Sequence, residues 1–211
     1  HTLESRSELP HCPSLGVQLS LCVNGRSASP WNKGGIAHGD VLLLSRPLGT
    51  GVLFAAAMAG ACQPEALDTV LQHMSRSQHR LLDQLEPHRQ AIHACTDVTG
   101  FGLLGHLGEM LASSSPLRIT LWTNRIPAYP EAMDRLAKGY ASSLAPANRR
   151  SWQWLDGPIQ LDDSPLQALL ELLVDPQTCG PLLLACPETR AQTLTAEGPW
   201  IPIGNATADH G

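Results

Sequence analysis

The sequence predicts an α/β fold of the α+β kind, a two-layer sandwich of one sheet with helices packed on it. Three observations lead there. Short apolar runs, some alternating and some continuous, recur along the chain with stretches of 3.6-residue periodicity between them. Eighteen glycines and 17 prolines punctuate the junctions. The 211 residues are 43% hydrophobic, enough for a sizeable core, but only 4% aromatic, so leucine and small residues must fill it.

The elements follow in order. Residues 3–16 are polar, hold two prolines and read as a loop. Val17, Leu19, Leu21 and Val23 alternate with Gln18, Ser20 and Cys22, a half-buried strand, and Asn24-Gly25 is a turn signal. The Ser/Pro/Gly-rich stretch 26–39 is a long loop. Residues 40–45, DVLLLS, are a continuous apolar run and hence a buried strand, closed by Arg46-Pro47-Leu48-Gly49-Thr50-Gly51. An alanine-rich helix follows over 52–61. Pro64 suits the first turn of a second helix. That helix runs to Leu85, with Leu67, Val70, Leu71, Met74, Leu81, Leu82 and Leu85 on one period.

Residues 91–95 are a further buried strand. Leu103, Leu104, Leu107, Met110 and Leu111 form one helical stripe, and 117–122 (LRITLW) alternates as a strand. A short helix is expected over 131–137, a Ser/Pro/Asn loop around 141–150, a helix over 165–173, a strand over 182–185 and a helix over 188–195. A last strand spans 200–203, and the tail from Asn205 frays. This pattern does not choose between parallel and antiparallel order.

Charge and composition exclude several classes. The net charge is -5, from 14 basic and 19 acidic residues, and no Lys/Arg cluster marks a nucleic-acid surface. No 18-residue apolar run and no signal peptide is present, so no membrane span is expected. The six cysteines, at 12, 22, 62, 95, 179 and 186, form no C-x-x-C pair. They read as reduced thiols of a cytoplasmic protein. The nine histidines lack ligand spacing, so no zinc site is expected. The chain opens at HTLES without a methionine and is expected to be a piece of a longer polypeptide.

Residues 95–111, CTDVTGFGLLGHLGEML, carry the main candidate site. A strand ending in Asp97 and turning through Gly100 and Gly102 puts a carboxylate at a loop mouth, where glycine lets a ligand approach closely. A helix starting near Gly102 would turn its free amides and positive dipole end to the same mouth. Carboxylate and amides together suit a divalent metal and a phosphate. The plain alternative is a helix cap or Asx-turn. His106 and Glu109, three apart, read as the edge of the apolar stripe. Gly49-Thr50-Gly51 is an anion cradle or, more simply, a tight turn, since Walker spacing and lysine are missing. Asp175 to Gly180 (DPQTCG) reads as a turn with Asp175 extended ahead of Pro176. Cys179 has no base nearby and is not taken as a nucleophile.

Taken together, these stretches resemble the selenide, water dikinases. Thr96 to Met110 is similar to that family's signature. Leu44 to Val52 (LSRPLGTGV) resembles its L-T-K-P-L-G-T-G-V, and Asp175 to Ala185 (DPQTCGPLLLA) its D-P-Q-T-S-G-G-L-L-x-A. His1 to Glu4 (HTLE) resembles the family's lead into its second half.

The resemblance implies the C-terminal domain of the aminoimidazole ribonucleotide synthetase-like type. Residues 1–16 are then a linker from an N-terminal ATP-binding half, 17–205 the domain and 206–211 a tail. It further implies ATP, selenide and water giving selenophosphate, AMP and phosphate with Mg²⁺. Asp97 becomes a magnesium ligand and His1 and Thr2 contacts to ATP. The partners are small molecules and a second copy in a homodimer, without nucleic acid or membrane. The reactive cysteine or selenocysteine and an essential lysine belong to the family's first half, so no catalytic residue is assigned here and the chain alone is expected to be inactive. Arg46 stands where the family has lysine, Ser75 where many members have asparagine, and Cys179 and Pro181 where it has serine and a second glycine. The loop at 142–150 also departs from the shorter bacterial form. Two alternatives stay open: another ATP-dependent enzyme of the same superfamily, and a non-catalytic dimerisation or interaction module.

Overall fold

The computed structural model describes residue 22 and residues 24–27, 29–114 and 116–208. The strand expected at 17–23 lies outside the described residues except for Cys22 and carries no structural account. The loop at 3–16, His1 and Thr2 lie wholly outside them. Residues 1–30 and 31–211 are separate units, and the second holds everything described below.

That unit begins with β1 (Asp40–Leu44), α1 (Thr50–Met58), α2 (Pro64–Ser75) and α3 (His79–Leu85). Next come β2 (Ala94–Asp97), α4 (Gly102–Ala112), β3 (Leu117–Leu121), α5 (Ala132–Ala137) and α6 (Ala145–Asn148). The chain closes with β4 (Ile159–Leu161), α7 (Gln167–Val174), β5 (Leu182–Pro187), α8 (Glu188–Glu197) and β6 (Ile201–Ala208). The strands make one six-stranded sheet in the order β2-β5-β1-β6-β3-β4. Its pairings are antiparallel except β3 with β4, which is parallel.

The expected sheet with packed helices is what is observed, but helices lie against both of its faces, so the layers are three and not two. β1 shows why. It has a strand on either side, and all five of its residues are buried. Leu42 and Leu44 enter one apolar cluster with Val52 and Leu53 of α1, Leu107 of α4 and Leu172 of α7. Val41 and Leu43 enter the other, with Leu85 of α3, Ala191 and Leu194 of α8, and Trp200. A strand covered on both faces loses the period-2 signal, so DVLLL reads as a continuous run. Burying each leucine contributes about 2 kcal/mol. Between β1 and β6 the register slips at Leu42/Leu43, where Gly204 and Pro202 are the successive partners. A proline that cannot donate to the ladder belongs at such an irregularity.

Several elements differ from expectation, each for a tertiary reason. The single helix expected over 64–85 is two. Arg76 is extended, at φ -86° and ψ 117°. The Arg46 guanidinium donates to the His73 and Arg76 carbonyls across the break. Ser77 Oγ caps the His79 amide, and Gln78 turns away to accept from Ser45 and donate to the Gly180 carbonyl. The strand expected at 91–95 starts later, because a 3-10 segment (Glu86–Ala91) occupies its first residue. The loop at 141–150 contains α6, followed by a 3-10 segment (Arg149–Asp156). Strand β4 has no counterpart in the reading of the sequence. The tail expected from residue 206 belongs instead to β6, which pairs with β3 as far as Ala208.

Candidate functional site

The sheet order brings three motif loops to one end of the sheet. β5 lies between β1 and β2 and runs antiparallel to both, so Leu182 pairs with Asp97 and Leu183 with Leu44. The loop leaving β1, the loop leaving β2 and the loop entering β5 therefore meet.

Two of these loops interlock. The Gln177 side chain is 4% exposed. Its Oε1 accepts from the Gly49 and Thr50 amides at 3.0 and 3.2 Å and from the Thr50 hydroxyl at 3.2 Å. Its Nε2 donates to the Asp175 carbonyl and to Asp175 Oδ2, at 2.8 and 3.0 Å. Asp175 Oδ2 also accepts from the Gly51 amide, and Thr50 Oγ1 accepts from the Thr178 amide. The free amides that open α1 are thus satisfied by side chains 124 to 128 residues away. The tight-turn reading of Gly49-Thr50-Gly51 holds, because its amides are already taken. Asp175 is extended ahead of Pro176, as expected, at φ -62° and ψ 125°. Gly49 sits at φ +113°, where the Ala132 side chain leaves no room for a Cβ. Replacing Gln177 by alanine would strand two amides, at about 1–3 kcal/mol each. The expected loss of stability is about 3 kcal/mol, measured by urea unfolding.

The third loop carries Asp97 and is pinned by its neighbours. The Val98 amide donates to the Pro181 carbonyl at 2.8 Å, and the Gln177 amide to the Thr99 carbonyl at 2.9 Å. Asn148, itself buried, donates to the Gly100 carbonyl at 2.8 Å and to the Val174 carbonyl at 3.0 Å. Asp97 is exposed, and among the described residues its carboxylate makes no hydrogen bond or ion pair. A Cβ on Gly100 would meet open space.

The amide half of the expected cradle is different. Gly102, Leu103 and Leu104, the first turn of α4, are buried, so those amides do not face an open mouth. Gly102 adopts φ +70°, and a Cβ there would meet the Val174 backbone at 2.7–2.9 Å. That glycine therefore serves close packing of α4 on the end of α7. The unsupported side of Gly100 and the bare carboxylate of Asp97 remain the open part of the loop.

His106 is 5% exposed, the edge of the apolar stripe that the sequence suggests. Its Nε2 lies 3.1 Å from Thr99 Oγ1. Its Nδ1 faces Lys33 Nζ at 3.4 Å and Glu109 Oε2 at 3.2 Å, and Lys33 and Glu109 pair with each other. Burial, followed by the Lys33 charge, pushes its pKa below the usual histidine value.

Arg46, in place of lysine, also donates to the Cys179 carbonyl at 3.1 Å. Its planar fork thus reaches carbonyls of two segments. Burial lowers its pKa. Cys179 is exposed at φ +48°, an unusual backbone for a side chain other than glycine. The cysteines among the described residues are free thiols. Burial pushes Cys95 up to about 11 and Cys186 up to about 12, which leaves them unreactive.

Gln177, Asn148 and Lys33 were not singled out as individual residues by sequence reasoning. Gln177 lies within the Asp175 to Gly180 motif and Asn148 within the 142–150 loop, and nothing local marks Lys33. The buried Asp40 carboxylate, which holds His93 Nδ1 at 2.8 and 2.9 Å, was likewise not anticipated. It sits at the other end of β1. Among the described residues no three His, Cys, Asp or Glu side chains form a metal cluster, and no helix is long and apolar enough to cross a membrane.

Comparison with known proteins bears on the family and the fold. The chain is 34% identical over 180 residues to a selenide, water dikinase of Desulfitobacterium hafniense (strain DSM 10664 / DCB-2), a match covering 85% of this chain and 50% of that protein. A selenide, water dikinase of Treponema denticola is 35% identical over 160 residues, covering 76% and 43%. The chain thus spans about half the length of the curated relatives it matches. Among solved structures, hydrogenase maturation protein HypE aligns with TM-score 0.54 at 20% identity, over 87% of this chain and 49% of that one. Thiamine-monophosphate kinase from Stenotrophomonas maltophilia K279a aligns with TM-score 0.54 at 16% identity, over 87% and 52%. These two likenesses show the fold. The model of the AIR synthase related protein C-terminal domain matches residues 37–211, which hold every described element from β1 to β6, and the chain belongs to that family.

Proposed function

We propose that this chain is the C-terminal part of a selenide, water dikinase, which makes selenophosphate from selenide and ATP with AMP and phosphate as the other products. The sequence similarity favours this member of the family over the others, since the dikinases are 34–35% identical and the HypE and thiamine-monophosphate kinase structures 16–20%. The single observation that carries the site is Asp97. It is an exposed carboxylate without a described side-chain partner, at the end of the edge strand β2, on a loop whose backbone is anchored at Val98, Thr99 and Gly100.

Those features fit one ligand of a Mg²⁺ ion. When bound, Mg²⁺ neutralises and orients the triphosphate. Asp97 alone does not complete a metal shell. ATP oxygens, water and residues outside the described part would supply the remainder, and His1 and Thr2 would contact ATP. Gly100, bare of a side chain beside Asp97, leaves the nucleotide room to approach. The other residues of the site act on structure: Gln177, Asp175 and Asn148 hold the loops in register. The protein acts in the cytoplasm as a homodimer.

The reaction needs more than this half, because the reactive cysteine or selenocysteine and the lysine are expected upstream. Phosphorus-31 NMR tests the reading. The complete polypeptide carrying these residues, given ATP, selenide and Mg²⁺, should form selenophosphate, AMP and phosphate. Residues 1–211 alone should leave ATP unchanged. Failure of the complete polypeptide to form selenophosphate defeats the assignment, and AMP released by the isolated chain defeats the division of labour.

A further inference from the structure

We propose that His106 is a positioning residue, a latch that keeps the Asp97 loop in its ligand-ready shape; this rests on the reading of Asp97 as a metal ligand. The loop's weak point is Gly100, whose backbone is the least restrained by its own chemistry. His106 brackets that point. Its Nε2 holds the Thr99 hydroxyl at 3.1 Å, on one side of Gly100. On the other side the Phe101 ring packs on the imidazole, with centroids 5.7 Å apart and planes tilted by 49°. The remaining contacts to residues 98–100 go through backbone groups or through Asn148.

The latch is itself locked. A buried imidazole needs partners at both nitrogens. Nδ1 faces Lys33 and Glu109, a half-exposed ion pair that joins the segment before β1 to α4. The pair fixes the ring's rotation, so Nε2 stays aimed at Thr99. A histidine that merely filled the edge of the core would need no such pair and would hold no loop.

Two variants separate the latch from simple packing. His106→Leu keeps bulk and removes both nitrogens, whereas His106→Gln keeps an amide able to reach Thr99. Hydrogen exchange on the metal-free complete polypeptide should show the Thr99–Gly102 amides exchanging about tenfold faster in the Leu variant, with β1 and β5 unchanged. The Gln variant should return close to wild type. In ATP consumption, the Mg²⁺ concentration for half-activation should rise about tenfold in the Leu variant, as for loss of an orienting partner, with the KM for ATP within about twofold. Should the Leu variant misfold, Lys33→Met removes one of the two partners of Nδ1 and should quicken the same amides.

Unchanged exchange over 99–102 in the Leu variant, or in Lys33→Met if that variant alone folds, overturns the latch. So does a Gln variant no better than Leu. A Mg²⁺ response indifferent to Asp97→Asn would instead sink the metal reading, and the exchange result would still decide the latch.

Discussion

Replacing Asp97 by asparagine in the complete polypeptide is expected to cut ATP consumption about 10²-fold, the scale of losing one preorganised electrostatic contact in a phosphoryl-transfer site. That factor corresponds to about 2.7 kcal/mol of barrier. Asparagine keeps the shape and the neutral hydrogen-bonding capacity but loses the charge that a divalent cation needs. The fold should not notice. Asp97 is exposed and makes no described hydrogen bond or ion pair, so stability should stay within about 0.5 kcal/mol of wild type. Steady-state assays across Mg²⁺ concentration, paired with urea unfolding, read both quantities. An unchanged Mg²⁺ dependence removes Asp97 from the metal, and a large loss of stability makes it structural.

The second large effect is on stability against pH, and it comes from Asp175. Burial holds this carboxyl at about 7, against an ordinary value of 3.8, even though the Val52 amide, Gln177 and the Gly51 amide favour the charged form. The folded chain therefore keeps a proton that the unfolded chain has already released. Between about pH 4 and pH 7 unfolding gives up that proton, and stability falls as pH rises. The contribution is complete below the unfolded value and gone above about 7. The slope is at most about 1.4 kcal/mol per pH unit for one proton.

Asp175→Asn should abolish it. An amide does not titrate in this range, so the variant's stability should lose this slope. His73 and His106, whose pKa values burial lowers, tilt stability the opposite way. The difference between wild type and Asp175→Asn, followed by urea unfolding from pH 4 to pH 8, isolates the one group. Parallel curves for the two proteins would refute it. The same experiment reports on the join between two loops, because Asp175 Oδ2 holds both the Gly51 amide and Gln177.

Much of the architecture was legible because it rests on local periodicity. β1, α4, β3 and α7 fall within two residues of their expected bounds, since each carries an apolar pattern that only one element satisfies. The break between α2 and α3 was not legible. Leucines run on in phase through both helices, while the break depends on Arg46 and Gln78 reaching distant carbonyls. Strand β4, three residues long, has too little pattern to announce itself and exists through its parallel pairing with β3.

For the site, residue chemistry alone singled out Asp97 and its two glycines. It also pointed to the wrong owner of one glycine: Gly102 makes room for Val174, and only Gly100 faces open space. By itself the sequence determined most of the run of elements, the buried character of β1 and the carboxylate at a strand end, because neighbours along the chain dictate those. Which loops meet was decided by tertiary structure alone. Gln177 finds Gly49 across 128 residues, and Lys33 finds His106 across 73. Such partners are chosen by strand order and burial, and neither leaves a mark on the residues nearby.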